Sequence, residues 1–317
     1  MTPRSIEYQF PEIPPRNFGS FVLDRGFQWV TRLFALGVVG VLIYIAVVVG
    51  IDAIPAIERF GWFFLVSSAW NPVQNEYGAL PMIFGTFVSS LIALLIAVPI
   101  GVGTAIFLSE NFLPPSIRLT LNFMVELLAA IPSVVYGLWG IYVLIPFLKP
   151  FGNWLHTNLG WFPLFSSRYL GPGMLPAALV LTVMILPLIS SISRDSLAAL
   201  PPTLRQAALG MGATRWTAIF RVLLPAAASG IVGGVMLALG RAMGETMAVT
   251  MLIGNSNDLS FSILAPANTI ASLLANQFAE ASGLQISALM YAGLILFAMT
   301  LVVNILAELI VLRVKQY

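Results

Sequence analysis

The stretch from Met82 to Leu108, MIFGTFVSSLIALLIAVPIGVGTAIFL, runs for 27 residues without one charged side chain. As a helix it would extend about 40 Å at 1.5 Å per residue, enough to cross the ~30 Å hydrocarbon core of a bilayer with some tilt. Comparable apolar runs lie at about Phe34 to Ile51, Leu119 to Phe147, Ala177 to Ile192, Ala226 to Met251 and Ser287 to Leu312. Together they predict an all-α, polytopic integral membrane protein with about six transmembrane helices. The run from Ala177 is the shortest, and Pro187, Ser190, Ser191 and Ser193 suggest that its end is buried against protein.

The composition agrees. Of 317 residues 59% are hydrophobic and 9% charged, whereas a soluble domain carries roughly 25% charged residues. The net charge is only +2, and the basic residues are scattered singly, so no nucleic-acid surface is expected. There is no cysteine and one histidine, which excludes disulfide frameworks and Cys/His metal clusters. Lys149 and Lys315 are the only lysines, and neither follows a glycine, so the chain has no phosphate-binding P-loop and is not itself an ATPase. HExxH and GxSxG motifs are also missing, which argues against a membrane protease or lipase.

Lys and Arg are unevenly shared between the connecting loops. With the amino terminus inside, Arg4, Arg16, Arg25, Arg32, Arg118, Arg194, Arg205, Arg215, Arg221, Arg313 and Lys315 are inside, and Arg59, Lys149 and Arg168 outside. A bias of 11 against 3 puts both termini in the cytoplasm. Residues 1–32 carry arginines among prolines and acids, and no small-residue cleavage pattern follows the first apolar run. They are expected to form an uncleaved cytoplasmic tail, with residues 33–317 as the transmembrane domain.

Pro99, Gly101 and Gly103 interrupt the second run, and Pro132 and Gly137 the third, which predicts kinks or close packing. In the fifth, Gly230, Gly234, Gly240 and Gly244 form two pairs at four-residue spacing. They serve either helix packing or a backbone lining a path through the membrane. The polar segment from Gly254 to Gln285 is long for an outer loop and suggests a surface for a partner. His156, in another outer loop, is expected to be solvated.

The inner loop from Asp195 to Pro225 is the most informative. Pro201 and Pro202 stop the preceding helix, and Thr203 with Gln206 offers a capping box for a new one. That short helix would run through Leu204, Arg205, Gln206, Ala207, Ala208 and Leu209 until Gly210 and Gly212 end it. Thr214 can cap the next helix, which carries Arg215 and Trp216 back to the membrane.

Arg241 and Glu245 fall inside the fifth run, where a charge costs at least about 3 kcal/mol, so both are functional candidates. Their four-residue spacing lets them pair on one helix face. An anion crossing hydrocarbon needs a compensating cation, and the planar guanidinium of Arg241 suits phosphate oxygens. Glu245 would hold Arg241 in place or weaken its grip on the anion. Glu126, in the third run, could answer Arg241 or Arg118. Ser133 and Tyr136 could donate hydrogen bonds to an oxyanion, although packing accounts for either alone.

Gln206-Ala207-Ala208, then Gly212, then Val222-Leu223-Leu224-Pro225 resembles the EAA loop of the permeases of type I ABC importers, with Gln206 in place of Glu and Val222 in place of Ile. In that family the loop docks as a coupling helix on an ATPase subunit. Three further stretches closely resemble the family's phosphate permeases: Trp70 to Val73 with Tyr77 to Pro81, Ile131 to Gly140, and Gly240 to Thr250. The sister permease of the same importers shares the Pro-Ser-Val-Val-Tyr-Gly and Arg-x-x-Gly-Glu themes, but the run Glu245 to Val249 favours the first type.

The resemblance covers roughly residues 60 to 316. It implies a permease subunit in a bacterial inner membrane that translocates inorganic phosphate. It also implies a second permease subunit, an ATPase dimer that binds ATP and Mg, and an extracytoplasmic phosphate-binding protein as partners. The chain itself would hold no cofactor. Gln206, Ala207, Ala208 and Gly212, flanked by Arg205 and Arg215, are then the coupling residues, and Arg241, Glu245, Glu126, Ser133 and Tyr136 line the substrate path. The sister type of permease, a permease for another oxyanion such as sulfate, a proton-coupled carrier and a membrane enzyme acting on lipid phosphates stay open on the residues alone.

Overall fold

The computed structural model describes residues 18–110 and 112–314. In chain order, α1 (Phe18–Phe60) and a single turn, α2 (Phe63–Val66), precede a small hairpin of β1 (Trp70–Asn71) and β2 (Glu76–Tyr77). Next come α3 (Leu80–Ser109), α4 (Pro115–Ala130), α5 (Ser133–Trp139) and α6 (Ile145–Leu159). Then follow α7 (Met174–Ala198), α8 (Pro202–Gly210), α9 (Arg215–Ala218), α10 (Leu224–Gly244), α11 (Met247–Leu252), α12 (Ile270–Gln277) and α13 (Leu284–Val314). Among the described residues six helical stretches are long and apolar enough to cross a membrane: Arg25–Phe60, Leu80–Ser109, Ser133–Leu159, Met174–Ala198, Arg215–Gly244 and Leu284–Leu309.

The chain divides into two compact units, residues 1–48 and 49–317. What is described of the first is helical, and side chains such as Phe34, Leu36 and Tyr44 are exposed, as suits a helix whose solvent is lipid. Residues 18–32, expected as tail, thus belong to α1, and residues 1–17 lie outside the described residues.

The second unit is built on the packing of α3 against α7, with α10 and α11 closing over them. Small residues allow the approach. A Cβ at Gly101 would come within 2.9 Å of the Ile189 side chain on α7, and one at Gly234 within 2.9 Å of Ile192. A Cβ at Gly230 would meet Ser196 Cβ at 2.8 Å. Gly240 and Gly244, in contrast, face open space. The four glycines of the fifth run therefore divide: the first pair packs, and the second pair leaves the end of α10 unobstructed. Pro99 sits inside an unbroken α3, and Pro187 inside α7, which continues to Ala198 and is longer than its apolar run.

The third run does not form one helix. Proline clashes with a helical residue before it and lacks an N–H; Ile131 accordingly adopts an extended conformation (φ −68°, ψ 128°), and α4 ends at Ala130. The helix restarts at Ser133 and continues past Lys149, Trp154 and His156, which were expected in an outer loop. His156 Nδ1 lies 3.2 Å from the Phe165 carbonyl oxygen, so this histidine has a partner in the chain.

The hairpin explains the Trp70-Asn71-Pro72-Val73 motif. The Asn71 side chain accepts hydrogen bonds from the Val73 and Gln74 N–H groups at 3.0 and 3.3 Å, and Asn75 turns the chain at φ 53°. Trp70 pairs with Tyr77 across the turn. The polar segment after Gly254 is likewise ordered on the bundle. The Ile270 N–H donates to Thr86 Oγ1 at 3.0 Å, Thr269 and Ser272 form a capping box for α12, and the Asn268 carbonyl abuts Gly85 of α3.

Gly85 and Gly103 of α3 test this packing. A methyl group at Gly85 would run into the Asn268 carbonyl, whereas one at Gly103 meets nothing within 4 Å. Gly85→Ala should lower the thermal midpoint of the detergent-solubilised protein by an overpacking cost of about 1–3 kcal/mol. Gly103→Ala, relieved of glycine's entropy in a helix, should leave it unchanged or raise it slightly.

Candidate functional site

Two helix breaks meet in the second unit. One is at Ile131–Pro132, between α4 and α5; the other is at Glu245–Thr246, between α10 and α11. They are adjacent because α11 packs on α5: a Cβ at Gly137 would meet the Met251 side chain, and one at Gly140 the Leu252 side chain at 2.7 Å. Each break is stitched by side chains. The Tyr136 hydroxyl donates to the Leu128 carbonyl at 2.8 Å, across the Pro132 interruption. The Glu245 carboxylate accepts from the Ala248 N–H at 3.4 Å, and Thr246 Oγ1 donates to the Gly244 carbonyl at 3.2 Å.

The pairing of Arg241 with Glu245 is not formed. Four-residue spacing juxtaposes two side chains only while the helix continues, and Glu245 has left it, with an extended backbone (φ −67°, ψ 125°). Its carboxylate serves the first turn of α11 instead. Arg241, in the last turn of α10, is exposed and makes no hydrogen bond or ion pair with a described residue. Its charge reaches the Tyr136 hydroxyl electrostatically. A cation is also favoured at that position by the negative end of the helix dipole. The double break thus holds a guanidinium with no carboxylate partner among the described residues, beside Gly240 and Gly244, which face open space.

Of the other expected path residues, Ser133 opens α5 at the break, half-buried and with no hydrogen bond among the described residues. Tyr136 is buried and its proton is committed to Leu128. Glu126 answers neither Arg241 nor Arg118; its partner is Arg194 of α7, at 3.4 Å, and Arg194 also reaches Asp195 at 3.2 Å. Glu126 lies on α4, on the far side of the Pro132 break from Ser133.

A second candidate surface is α8. The capping box expected from Thr203 and Gln206 is not made: α8 starts at Pro202, with Pro201 as its N-cap and no side-chain cap. Proline at the first helical position has a suitable φ and no N–H to satisfy, so the box is not needed. At the other end Gly212 has φ +83°; its N–H bonds to the Leu209 carbonyl at 3.0 Å and the Ala213 N–H to the Ala208 carbonyl at 3.2 Å. These two bonds form a Schellman stop that needs a left-handed residue at this position. Thr214 caps α9 as expected, accepting from the Thr217 N–H at 3.2 Å.

Gln206 and Ala207 are exposed on α8, and Ala208 is half-buried. Leu209 and Met211 are exposed beside them, Met211 at 89%. Arg215 lies over the ring of Phe112 at 5.2 Å, and Phe112 neighbours Trp216 at 5.6 Å. Arg205 donates to Glu110 at 2.6 Å. Glu110 caps the end of α3 and was not singled out from the sequence, where it sits as one acid after an apolar run; nothing in that position marks it as buried. Arg194 was missed as the partner of Glu126 for a related reason, since the two are separated by 68 positions.

Residues 97–316 match the family model described as binding-protein-dependent transport system inner membrane component. The chain is 45% identical over 304 residues to a phosphate transport system permease protein PstC of Haemophilus influenzae, covering 94% of this chain and 96% of that one. It is 44% identical over 297 residues to the PstC of Mesorhizobium japonicum, covering 92% and 90%. Its fold is similar to that in a crystal structure of a bacterial alginate ABC transporter (TM-score 0.60, 17% identity, 90% of this chain and 94% of that one). It is also similar to an inward-facing MetNI methionine ABC transporter (TM-score 0.53, 19% identity, 77% and 96%). The broken helices, the exposed loop helix and these likenesses agree, and the chain belongs to the PstC family of phosphate transport system permease proteins, within the binding-protein-dependent inner membrane components.

Proposed function

We propose that this chain is one of two pore-forming subunits of an ATP-driven importer and carries inorganic phosphate into the cytoplasm. The observation that carries the reading is Arg241: an exposed guanidinium without a carboxylate partner among the described residues, at a helix break in a chain whose relatives are named phosphate permeases. Discontinuous helices are where membrane transporters expose backbone and charge to a substrate. Arg241 would compensate the anion as it sheds water, its fork matching two oxygens, and Ser133 would add a hydroxyl from the facing break. Glu245 and Tyr136 shape the site, one as a cap for α11 and the other as a clasp on α4. Glu126 stands beside the path through its pair with Arg194.

The partners follow from the same reading. Exposed Gln206, Ala207, Leu209 and Met211 on α8 form the face that would dock on an ATPase dimer, which binds ATP and Mg, with Ala208 beneath and Arg205 and Arg215 alongside. A sister permease would complete the pore, and an extracytoplasmic phosphate-binding protein would deliver the anion. The excess of Lys and Arg in the loops on one side supports an arrangement with both termini and α8 in the cytoplasm of a bacterial cell.

Reconstituted in liposomes without the other subunits, the chain should take up no phosphate under either ATP or a proton gradient; proton-driven uptake would overturn the proposal. Gly212→Val puts a branched side chain at φ +83°, a strain of about 1–3 kcal/mol. The assembled importer should then hydrolyse ATP with reduced uptake, and normal coupling would remove α8 from the docking role. Arg241→Gln strands no carboxylate, so the complex should assemble while uptake falls at least about tenfold, the effect of losing one charged hydrogen bond. Phosphate uptake normalised to the amount of complex checks this, and near-normal uptake would rule out the role given to Arg241.

A further inference from the structure

Resting on the reading of α8 as the coupling helix, we infer that Glu110 is the positioning residue that ties α8 to a membrane-spanning helix. Through it, a push by the ATPase moves α3 and not only a loop. The starting point is how little holds α8 in place. None of its residues is buried. Leu204 is its apolar anchor, packed against a cluster that joins Ala105 and Ile106 of α3 and Leu197 of α7 to Ile219 and Leu223. Among the described residues, the only side-chain hydrogen bond or ion pair from α8 to another element is that of Arg205 to Glu110, at 2.6 Å.

The two ends of this pair are not equivalent. The Glu110 side chain is 7% exposed and that of Arg205 is 35% exposed. Glu110 is also fixed by its backbone, whose N–H bonds to the Ile106 carbonyl at 3.0 Å as α3 ends. A carboxylate there faces both a desolvation cost and the negative end of the helix dipole, so it needs the guanidinium. Arg205, by contrast, is partly exposed, although its Nε is buried without a hydrogen-bond partner. The demand for pairing therefore sits on the rigid helix, and α8 supplies the charge that meets it. This is a latch whose fixed half belongs to α3.

The other end of α3 is similarly engaged. Over 30 residues, about 45 Å at 1.5 Å per residue, α3 runs back from Ser109, next to Glu110, to Leu80. Near that end Thr86 accepts the Ile270 N–H, and Gly85 abuts the Asn268 carbonyl. A single helix thus joins the loop helix α8 to the segment that caps α12 on the opposite side of the bundle. Its side chains pack with those of α7 along the way, so a displacement of α3 would be passed to α7.

The test uses the complete importer in liposomes, with phosphate taken up per ATP hydrolysed as the readout, and with hydrolysis measured with and without phosphate-loaded binding protein. Glu110→Gln leaves behind only the partly exposed Arg205, so the complex should still assemble. Hydrolysis should persist but lose its response to the loaded binding protein, and uptake per ATP should fall at least about fivefold, the low end of an ordinary coupling effect. Glu110→Asp, which keeps the charge, should retain most of the ratio. An unchanged ratio in Glu110→Gln overturns the inference. So does an equal loss in both variants, since length and not charge would then matter, and so does failure of Glu110→Gln to assemble, since the residue would then serve folding. Gly212→Val, measured in parallel, separates the two levels: if it uncouples and Glu110→Gln does not, only the latch is wrong, and if neither uncouples, the reading of α8 is wrong.

Discussion

Hydrocarbon offers no hydrogen bonds, so a chain that breaks a helix inside a bilayer must find partners for the freed backbone groups within itself or in a wet cavity. This protein breaks two helices side by side, at Pro132 and at Glu245, and much of its sequence can be understood as the means of doing so. The Tyr136 hydroxyl takes the Leu128 carbonyl, the Glu245 carboxylate takes the Ala248 N–H, and the Thr246 and Thr250 hydroxyls take the Gly244 and Thr246 carbonyls. The Pro-Ser-Val-Val-Tyr-Gly and Gly-Glu-Thr-Met-Ala stretches are therefore one device in two parts. Gly137 and Gly140 let the second part lie against the first.

What the device displays is charge. In a continuous helix Arg241 and Glu245 would cancel each other on one face, and no anion would be drawn to either. Breaking the helix between them turns the carboxylate toward the α11 backbone and leaves the guanidinium open. Under the proposed function, a cation left open in this way would attract a passing anion. Gly240 and Gly244 beside Arg241 face open space.

The surrounding helices keep this arrangement in place largely by close contact. Gly101 against Ile189, Gly234 against Ile192 and Gly230 against Ser196 bring α3, α7 and α10 together, and small residues at such contacts are how helices associate where the hydrophobic effect gives no driving force. The loop helix α8 is different in kind. It lies outside this packing, presents Gln206, Ala207, Leu209 and Met211 to the surroundings, and is joined to the bundle chiefly by Leu204 and by Arg205 on Glu110. A rigid bundle with one lightly attached outer helix is suited to receive motion at a single point.

The sequence alone was enough for the features that depend on local chemistry. Apolar length located five of the six spanning segments, because the hydrocarbon thickness sets it, but the third run is divided at Pro132 and its long helical stretch, Ser133–Leu159, is displaced from the run. Pro201, Pro202, Gly212 and Thr214 located α8 and the start of α9, since a proline's missing N–H, a glycine's positive φ and a hydroxyl's reach to an N–H act within a few residues. The EAA-like pattern gave that loop an expected role as a coupling helix, which stands as a proposal. Partnerships were another matter. That Glu126 meets Arg194, that Glu245 meets a backbone N–H and not Arg241, that His156 has a carbonyl partner, and that Glu110 is buried against Arg205 all depend on which helices lie side by side and on where Pro132 and Gly244 end theirs. Spacing along a chain predicts a contact only while the helix between the two residues is unbroken, and the breaks that carry the site remove that condition; only the tertiary structure could decide the rest.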